Sequence, residues 1–175
     1  MTGSIPSPRQ AVMDSPVGEL TLVARGEALA AVYFDGHIRR PSAAECGPVV
    51  DGTRDPLLAR TRAQLNEYFA GERTAFDLPL DPVGEEFAVR VWMLLREIPY
   101  GSTTRYGALA EHLGGRSYAQ AVGGAVGRNP LSIIVPCHRV LGSDGTLTGF
   151  AGGTTRKAFL LELEESDSAR ASRLF

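Results

Sequence analysis

Leu131-Ser132-Ile133-Ile134-Val135-Pro136-Cys137-His138-Arg139-Val140 is an apolar run that breaks at a proline onto a cysteine, a histidine and an arginine. Its first five residues predict a short strand over 131–135. Pro136 fixes its own φ and limits the backbone, so the strand hands Cys137 and His138 to a turn. A free thiol titrates at about 8.5 and is a weak nucleophile at neutral pH until a base takes its proton. His138 stands next in sequence. On a continuing strand it would face away from Cys137, and a turn removes that obstacle. Glu162 or Glu164, further on, could orient the imidazole. Taken alone, a cysteine after Ile-Ile-Val is more often a buried core residue, and a single histidine more often a structural one.

Upstream, residues 87–97 carry Phe87, Val91, Trp92, Leu94 and Leu95 at helical spacing, and Pro99 ends the segment. Ser102-Thr103-Thr104 supply capping side chains for a helix over Tyr106–Leu113. Gly114-Gly115 breaks it, and a second short helix follows over 118–126 before Gly127 and Asn129-Pro130. Two short helices about a glycine break have the pattern of a helix-turn-helix. The second helix carries Ala119, Ala121, Gly123, Gly124 and Ala125, with few long side chains to read a major groove. So smooth a face suits approach to a narrow groove, or equally close packing on another helix. Downstream come a turn at Gly142-Ser143-Asp144-Gly145, a loop at Gly149-Phe150-Ala151-Gly152-Gly153 and a last helix over 155–165.

The first half reads differently. Residues 11–35 alternate as a strand meander, with turns at Arg25-Gly26-Glu27 and Asp35-Gly36. Residues 38–56 show no period and predict a loop. Residues 56–70 predict a helix that stops at Gly71, and the Pro-containing stretch 76–84 is the expected boundary between two domains. The opening Met1-Thr2-Gly3-Ser4-Ile5-Pro6-Ser7-Pro8-Arg9 lacks the apolar core of a signal peptide, so 1–10 is expected to be a flexible tail and the protein cytoplasmic.

At 175 residues, 43% hydrophobic and 22% charged, the chain can fold as one large domain or two small ones. No apolar run nears the roughly 18 residues of a membrane span. Cys46 and Cys137 lie in unlike contexts, which gives no reason to expect a disulfide. His37, His112 and His138 are too scattered for a zinc site, so neither metal nor cofactor is expected. Net charge is −2, which argues against bulk attraction to nucleic acid. Within 103–139, however, Arg105, Arg116, Arg128 and Arg139 face a single acid, Glu111. A local basic face can bind phosphate whatever the total charge.

Ile134-Val135-Pro136-Cys137-His138-Arg139-Val140 is similar to the active-site signature of the O6-alkylguanine-DNA alkyltransferases, the methylated-DNA–protein-cysteine methyltransferases. Ile98-Pro99-Tyr100-Gly101 and Tyr106-Gly107-Ala108-Leu109-Ala110 resemble that family's first DNA-binding helix and its entry. Ala121-Val122-Gly123-Gly124-Ala125 resembles its recognition helix. Asn129-Pro130, Gly152-Gly153, Lys157, Leu160-Leu161-Glu162-Leu163-Glu164 and the N-terminal Ser15-Pro16-Val17-Gly18 extend the likeness over 12–165.

The resemblance implies an N-terminal α/β domain over 11–80, ribonuclease-H-like with a small antiparallel sheet. It implies a mostly α-helical DNA-binding and alkyl-acceptor domain with a helix-turn-helix over 86–165, and a tail over 166–175. The implied activity is irreversible, single-turnover transfer of the alkyl group from O6-alkylguanine in double-stranded DNA to Cys137, with O4-alkylthymine a further candidate. The damaged base would be flipped from the duplex, approached from the minor groove. His138 would take the thiol proton through a water, oriented by Glu164. Asn129 would brace the active-site loop, and Tyr106 would help rotate the nucleotide and donate to guanine N3. Arg116, Ala119, Gln120, Ala121, Gly123, Arg128, Val140, Phe150, Ala151, Gly152 and Lys157 would contact substrate or DNA. No membrane and no obligate protein partner is implied. The chain departs from the family pattern at Gln120, where an arginine usually enters the base stack, and at Phe150, where a tyrosine is usual. Ala151 stands where animal members often carry serine. The alternatives are an alkylguanine-recognising protein with weak transfer, a specialised adduct-resistance protein, and a helix-turn-helix regulator.

Overall fold

The computed structural model describes residues 3–147 and 149–166. The chain divides into two compact units, Met1–Val83 with Pro130–Ile134, and Gly84–Asn129 with Val135–Phe175.

The first unit is built on three antiparallel strands, β1 (Pro8–Met13), β2 (Leu20–Arg25) and β3 (Ala28–Phe34), in that spatial order. Gly18, at φ 95°, closes the β1–β2 turn with its N–H on the Ser15 carbonyl. Gly26-Glu27 joins β2 to β3, and Gly26 takes φ 55° where a two-residue hairpin needs a positive value. β2 is buried along almost its whole length, so it must be covered on both faces. Helix α1 (Pro56–Phe69) packs on β2 and β3 and buries Leu58, Leu65 and Tyr68. Asp55 caps it, accepting from the Leu58 N–H, and Pro56 opens the first turn, where no N–H is needed.

Two expectations are corrected here. The stretch 1–10 is not all tail, because β1 begins at Pro8. The Arg9 guanidinium pairs with Asp55 and donates to the Gly26 carbonyl at 2.8 Å. The Gln10 amide donates to the carbonyls of Ala43 and Gly47. Those partners lie 17 to 46 residues away, beyond any local pattern. The run 131–135 is not a strand. Leu131 makes one parallel bridge to Val32, and the Val32 N–H reaches the Pro130 carbonyl at 2.9 Å. The chain then folds back: the Ile134 N–H donates to the Ser132 carbonyl at 2.8 Å across Ile133, whose φ is 73°. That is a γ-turn of the strained, positive-φ kind, on a β-branched residue. The edge of β3 thereby draws Pro130–Ile134 into the first unit.

The second unit is mostly helical. Helix α2 (Glu86–Leu95) packs on α4 (Ala119–Gly127), and the Trp92 indole donates to the Ala125 carbonyl at 2.8 Å. α3 (Tyr106–His112) and α4 form the expected pair of short helices. Between them Gly114 and Gly115 take φ 132° and 135°, and a 3-10 turn over Arg116–Tyr118 leads into α4. A two-residue parallel pairing joins β4 (Thr104–Arg105) to β5 (Val140–Leu141), and α5 (Thr154–Glu164) closes the unit. The C-terminal tail expected over 166–175 lies, from 167 on, outside the described residues. No helix among the described residues is long and apolar enough to cross a membrane.

Candidate active site

Pro136, at φ −81° and ψ 65°, turns the chain so that the Cys137 N–H meets the Val135 carbonyl at 2.8 Å. That is an inverse γ-turn. Cys137, His138 and Arg139 follow as one 3-10 turn, all three buried. The Asn129 amide donates to the Val135 carbonyl at 2.9 Å and also hydrogen-bonds the Cys137 thiol. One side chain therefore fixes both the turn and the sulfur.

His138 is wholly buried, and its Nε2 lies 2.7 Å from Glu164 Oε1. Its Nδ1 is buried and has no hydrogen-bond partner among the described residues. The carboxylate is shared: Arg139 Nε donates to Glu164 Oε2 at 2.8 Å and Nη2 to Oε1 at 2.9 Å. Arg139 Nη1 donates to the Ile98 carbonyl at 2.7 Å, and the guanidinium lies 5.7 Å from the centre of the Tyr100 ring. Lys157, wholly buried on α5, donates its Nζ to the Val140 carbonyl. Two cations and one carboxylate thus share the interior with a thiol and an imidazole.

The electrostatics follow from burial and partners. Burial pushes the Cys137 thiol up, opposed by the Asn129 hydrogen bond and the Lys157 charge. Burial also lowers the His138 imidazole, against the pull of Glu164, so the ring is neutral at pH 7. Burial raises the Glu164 carboxyl, but hydrogen bonds from His138 and Arg139 outweigh it and hold that group down at about 2. Burial lowers Lys157 from its ordinary value.

Tyr106 opens α3 half-buried, its phenol pushed up by burial and then by Cys137. It packs where glycines leave room. A side chain on Gly149 would come 3.0 Å from the Tyr106 hydroxyl, and one on Gly123 3.9 Å from its ring. Val140 and Gly152 are buried, Phe150 is 7% exposed, and Ala151 is half-buried. On α4 and its entry, Gln120, Ala121, Arg116 and Arg128 are exposed, with Ala119 and Gly123 half-buried. Arg116 is tied to Glu111 at 2.9 Å. The structure therefore brings Cys137, His138, Glu164, Asn129, Tyr106 and Lys157 together and sets Gln120, Arg116 and Arg128 on the solvent face of the helix-turn-helix.

Known proteins resemble this chain over most of its length. The model of the 6-O-methylguanine DNA methyltransferase ribonuclease-like domain matches residues 9–82, and that of the same family's DNA binding domain matches residues 86–166. The chain belongs to the 6-O-methylguanine DNA methyltransferase family. The methylated-DNA–protein-cysteine methyltransferase of Mycobacterium bovis is 46% identical over 164 residues, 93% of this chain and 96% of that one. The protein of the same name from Methanosarcina acetivorans is 42% identical over 156 residues, 89% and 97% of the two chains. The crystal structure of Mycobacterium tuberculosis O6-methylguanine methyltransferase superposes with a TM-score of 0.80 at 45% identity, covering 90% of this chain and 93% of that chain. Mycobacterium tuberculosis OGT in complex with DNA gives 0.78 at 43%, covering 90% and 92%. Membership identifies the three-stranded first unit with the family's ribonuclease-like domain and the helical second unit with its DNA-binding domain.

Sequence reasoning gave Arg139 no role beyond local charge. The signal was available in its position: an arginine inside an otherwise apolar run is buried only where a carboxylate meets it. Tyr100, whose hydroxyl donates to the Leu163 carbonyl at 3.2 Å, and the Ile98 carbonyl carry no such signal.

Proposed function

We propose that this protein reverses alkylation damage in double-stranded DNA by moving the alkyl group of O6-alkylguanine irreversibly onto Cys137. The observation that carries the reading is the buried chain Glu164–His138, in which Nε2 is held by the carboxylate and Nδ1 is free to take a proton. His138, neutral at pH 7, removes the Cys137 proton through one water and becomes a cation beside Glu164. The thiolate forms while Lys157 and Asn129 hold negative charge at sulfur. The sulfur attacks the alkyl carbon, an S–C bond forms, the C–O6 bond breaks, and the electron pair leaves on guanine. Tyr106 donates to guanine N3 as that charge develops, which lowers the barrier. The product thioether has no leaving group that water can displace, so each molecule acts once.

An atom inside the duplex is out of reach of a buried thiol, so the base is flipped out. The small residues Ala119, Ala121 and Gly123 let α4 approach the minor groove closely. Gln120 fills the vacated space, while Arg116 and Arg128 meet phosphate. Val140, Phe150, Ala151 and Gly152 line the base pocket, with O4-alkylthymine a second substrate. A cytoplasmic location, and independence of metal, cofactor and protein partner, are part of the same reading. Intact mass after incubation with an O6-methylguanine duplex tests it. The expected result is one methyl per protein; no mass gain, or more than one equivalent of repaired duplex per protein, would overturn it.

A further inference from the structure

The helix-turn-helix carries one aromatic side chain that the transfer chemistry does not use. Tyr118 ends the 3-10 turn before α4, two residues after Arg116 and two before Gln120. It is 46% exposed. The other large apolar side chains exposed among the described residues of the second unit are Met93 on α2 and Phe159 on α5, so Tyr118 is the one on the helix-turn-helix. A single exposed apolar residue is ordinary. The way this ring is held is not. Its centre lies 6.2 Å from that of Phe87, in the first turn of α2, with the two planes 31° apart. Gly114 gives it room as well: a Cβ there would come 2.9 Å from Cε2 of the ring. Gly114 also takes φ 132°, a value that residues with a side chain rarely adopt.

A ring set against a second ring and a bare glycine is a post rather than a probe. Entering the gap behind an extruded base would break its contact with Phe87, so the side chain acts from where it stands. Ala119, Ala121 and Gly123 lay a smooth helix beside it, which lets the walls of a narrow groove come close. Those walls are deoxyribose, whose carbons are apolar, with the phosphates at the outer edge. The local charge selects the sugar over the phosphate. Glu85 and Glu86 precede Phe87 in the chain and are exposed, and Arg116 is engaged by Glu111. A neutral, apolar contact is what these surroundings allow.

We propose that Tyr118, backed by Phe87, packs against the deoxyribose wall of the minor groove and fixes the register of the duplex on α4. The inference rests on the reading that α4 approaches that groove. It adds a contact that carries no charge and reads no base. Tyr118 is a positioning residue: it acts on the placement of the duplex and not on the transfer step.

Affinity for an undamaged duplex, which cannot react, is measured by fluorescence anisotropy over a salt series for the unaltered chain, Tyr118→Ala and Tyr118→Phe. Tyr118→Ala is expected to weaken binding about five- to tenfold, and Tyr118→Phe, which keeps the ring, to stay within about twofold. The salt slope is expected to be the same in all three, since no counterion is displaced by a neutral ring. Reaction with free O6-benzylguanine is expected to be unchanged. Full duplex affinity in Tyr118→Ala would overturn the contact. An equal loss in Tyr118→Phe would overturn it too, by putting the hydroxyl on a phosphate. So would a loss seen only in transfer from O6-methylguanine duplex, which would make the ring a plug for the gap. The affinity series needs no transfer, and the mass gain of the unaltered protein reads transfer by itself, so the contact and the repair reading can fail separately. Should Tyr118→Ala fail to fold, NMR of the unaltered protein on the undamaged duplex decides. Nuclear Overhauser contacts from the Tyr118 ring to deoxyribose H4′ and H5′ support the proposal, and contacts to base protons, or none to DNA, remove it.

Discussion

Cys137 and Cys46 are both buried, and burial pushes both thiols above the ordinary range. Their surroundings part from there. Cys137 sits on a 3-10 turn beside an imidazole that a buried carboxylate orients, with a hydrogen bond from Asn129 and the charge of buried Lys157. Cys46 sits in a pinned loop with Arg40 and Arg25 near it, while Glu45 adds to the upward push. Its cluster, Val23, Ala30, Ala31 and Tyr33, is largely apolar. A buried cysteine is therefore not reactive or inert by burial alone. What decides is whether a base and a fixed cation are buried with it.

The largest effect tests that contrast directly. After reaction with O6-methylguanine duplex, peptide mass analysis is expected to find the methyl on Cys137 and none on Cys46. Cys137→Ala is expected to abolish transfer, and a chelator to leave the rate of the unaltered protein unchanged. Methyl on Cys46 would break the comparison, because a thiol without an oriented base would then suffice.

Next in size is the carboxylate. Glu164→Gln removes the charge that orients His138 and leaves the Arg139 guanidinium buried without its counter-ion. Transfer is expected to fall about 10²- to 10³-fold, within the range for a disabled general base. Duplex affinity should change little, since α4 is not part of this network. Stability is expected to drop by about 3 kcal/mol, as when one partner of a buried ion pair is lost. Urea unfolding and single-turnover rates separate the two effects. Equal losses of rate and affinity would make Glu164 purely structural.

This network also marks the limit of what was legible in the residues. Pro136-Cys137-His138-Arg139 carried the turn that sets Cys137 beside a buried histidine, and helical spacing put α1 within one residue of its observed end at Phe69. Three features were not legible, each for a non-local reason. Pro8-Arg9-Gln10 reads as tail until Asp55, Ala43 and Gly47 are in place. Ile133 reads as strand, and only the fold of the chain on itself after the Val32 bridge gives it φ 73°. Arg139 reads as a surface charge until Glu164, 25 residues on, meets it. Local pattern reports propensity, whereas these three are settled by partners distant in sequence.

Acid should expose the same buried groups at smaller cost per pH unit. His138 is lowered by burial, so the unfolded chain binds its proton first. Stability from that group is complete above about 6.5 and is lost as pH falls from there toward the folded value. Glu164 is held at about 2, below its unfolded value, so its contribution is present above about 4.3 and is lost as pH falls from there toward 2. Unfolding free energy is therefore expected to fall in two stages, and Glu164→Gln should shrink the lower one, to which Asp55, held down by Arg9, also contributes. A flat profile between pH 7 and 4 would mean that His138 is not held neutral.

The smallest expected effect lies on the solvent face of α4. Gln120 is exposed in the first turn of that helix, where an arginine would carry one more positive charge toward DNA. Extruding a base costs a few kcal/mol of unstacking and unpairing, and a side chain placed in the gap offsets part of that cost. Gln120→Arg is expected to raise the transfer rate on duplex about three- to tenfold and to steepen the salt dependence of binding by about one counterion. Reaction with free O6-benzylguanine needs no flipping and should be unchanged, because the Cys137–His138–Glu164 geometry is untouched. Measuring both rates side by side separates extrusion from chemistry. An equal gain on the free base would mean that position 120 acts on the pocket. No gain on duplex would mean that another side chain, Arg116 or Arg128, already fills the gap. Arg116 is tied to Glu111, so Glu111→Gln, which frees it, would then be expected to raise the duplex rate on its own.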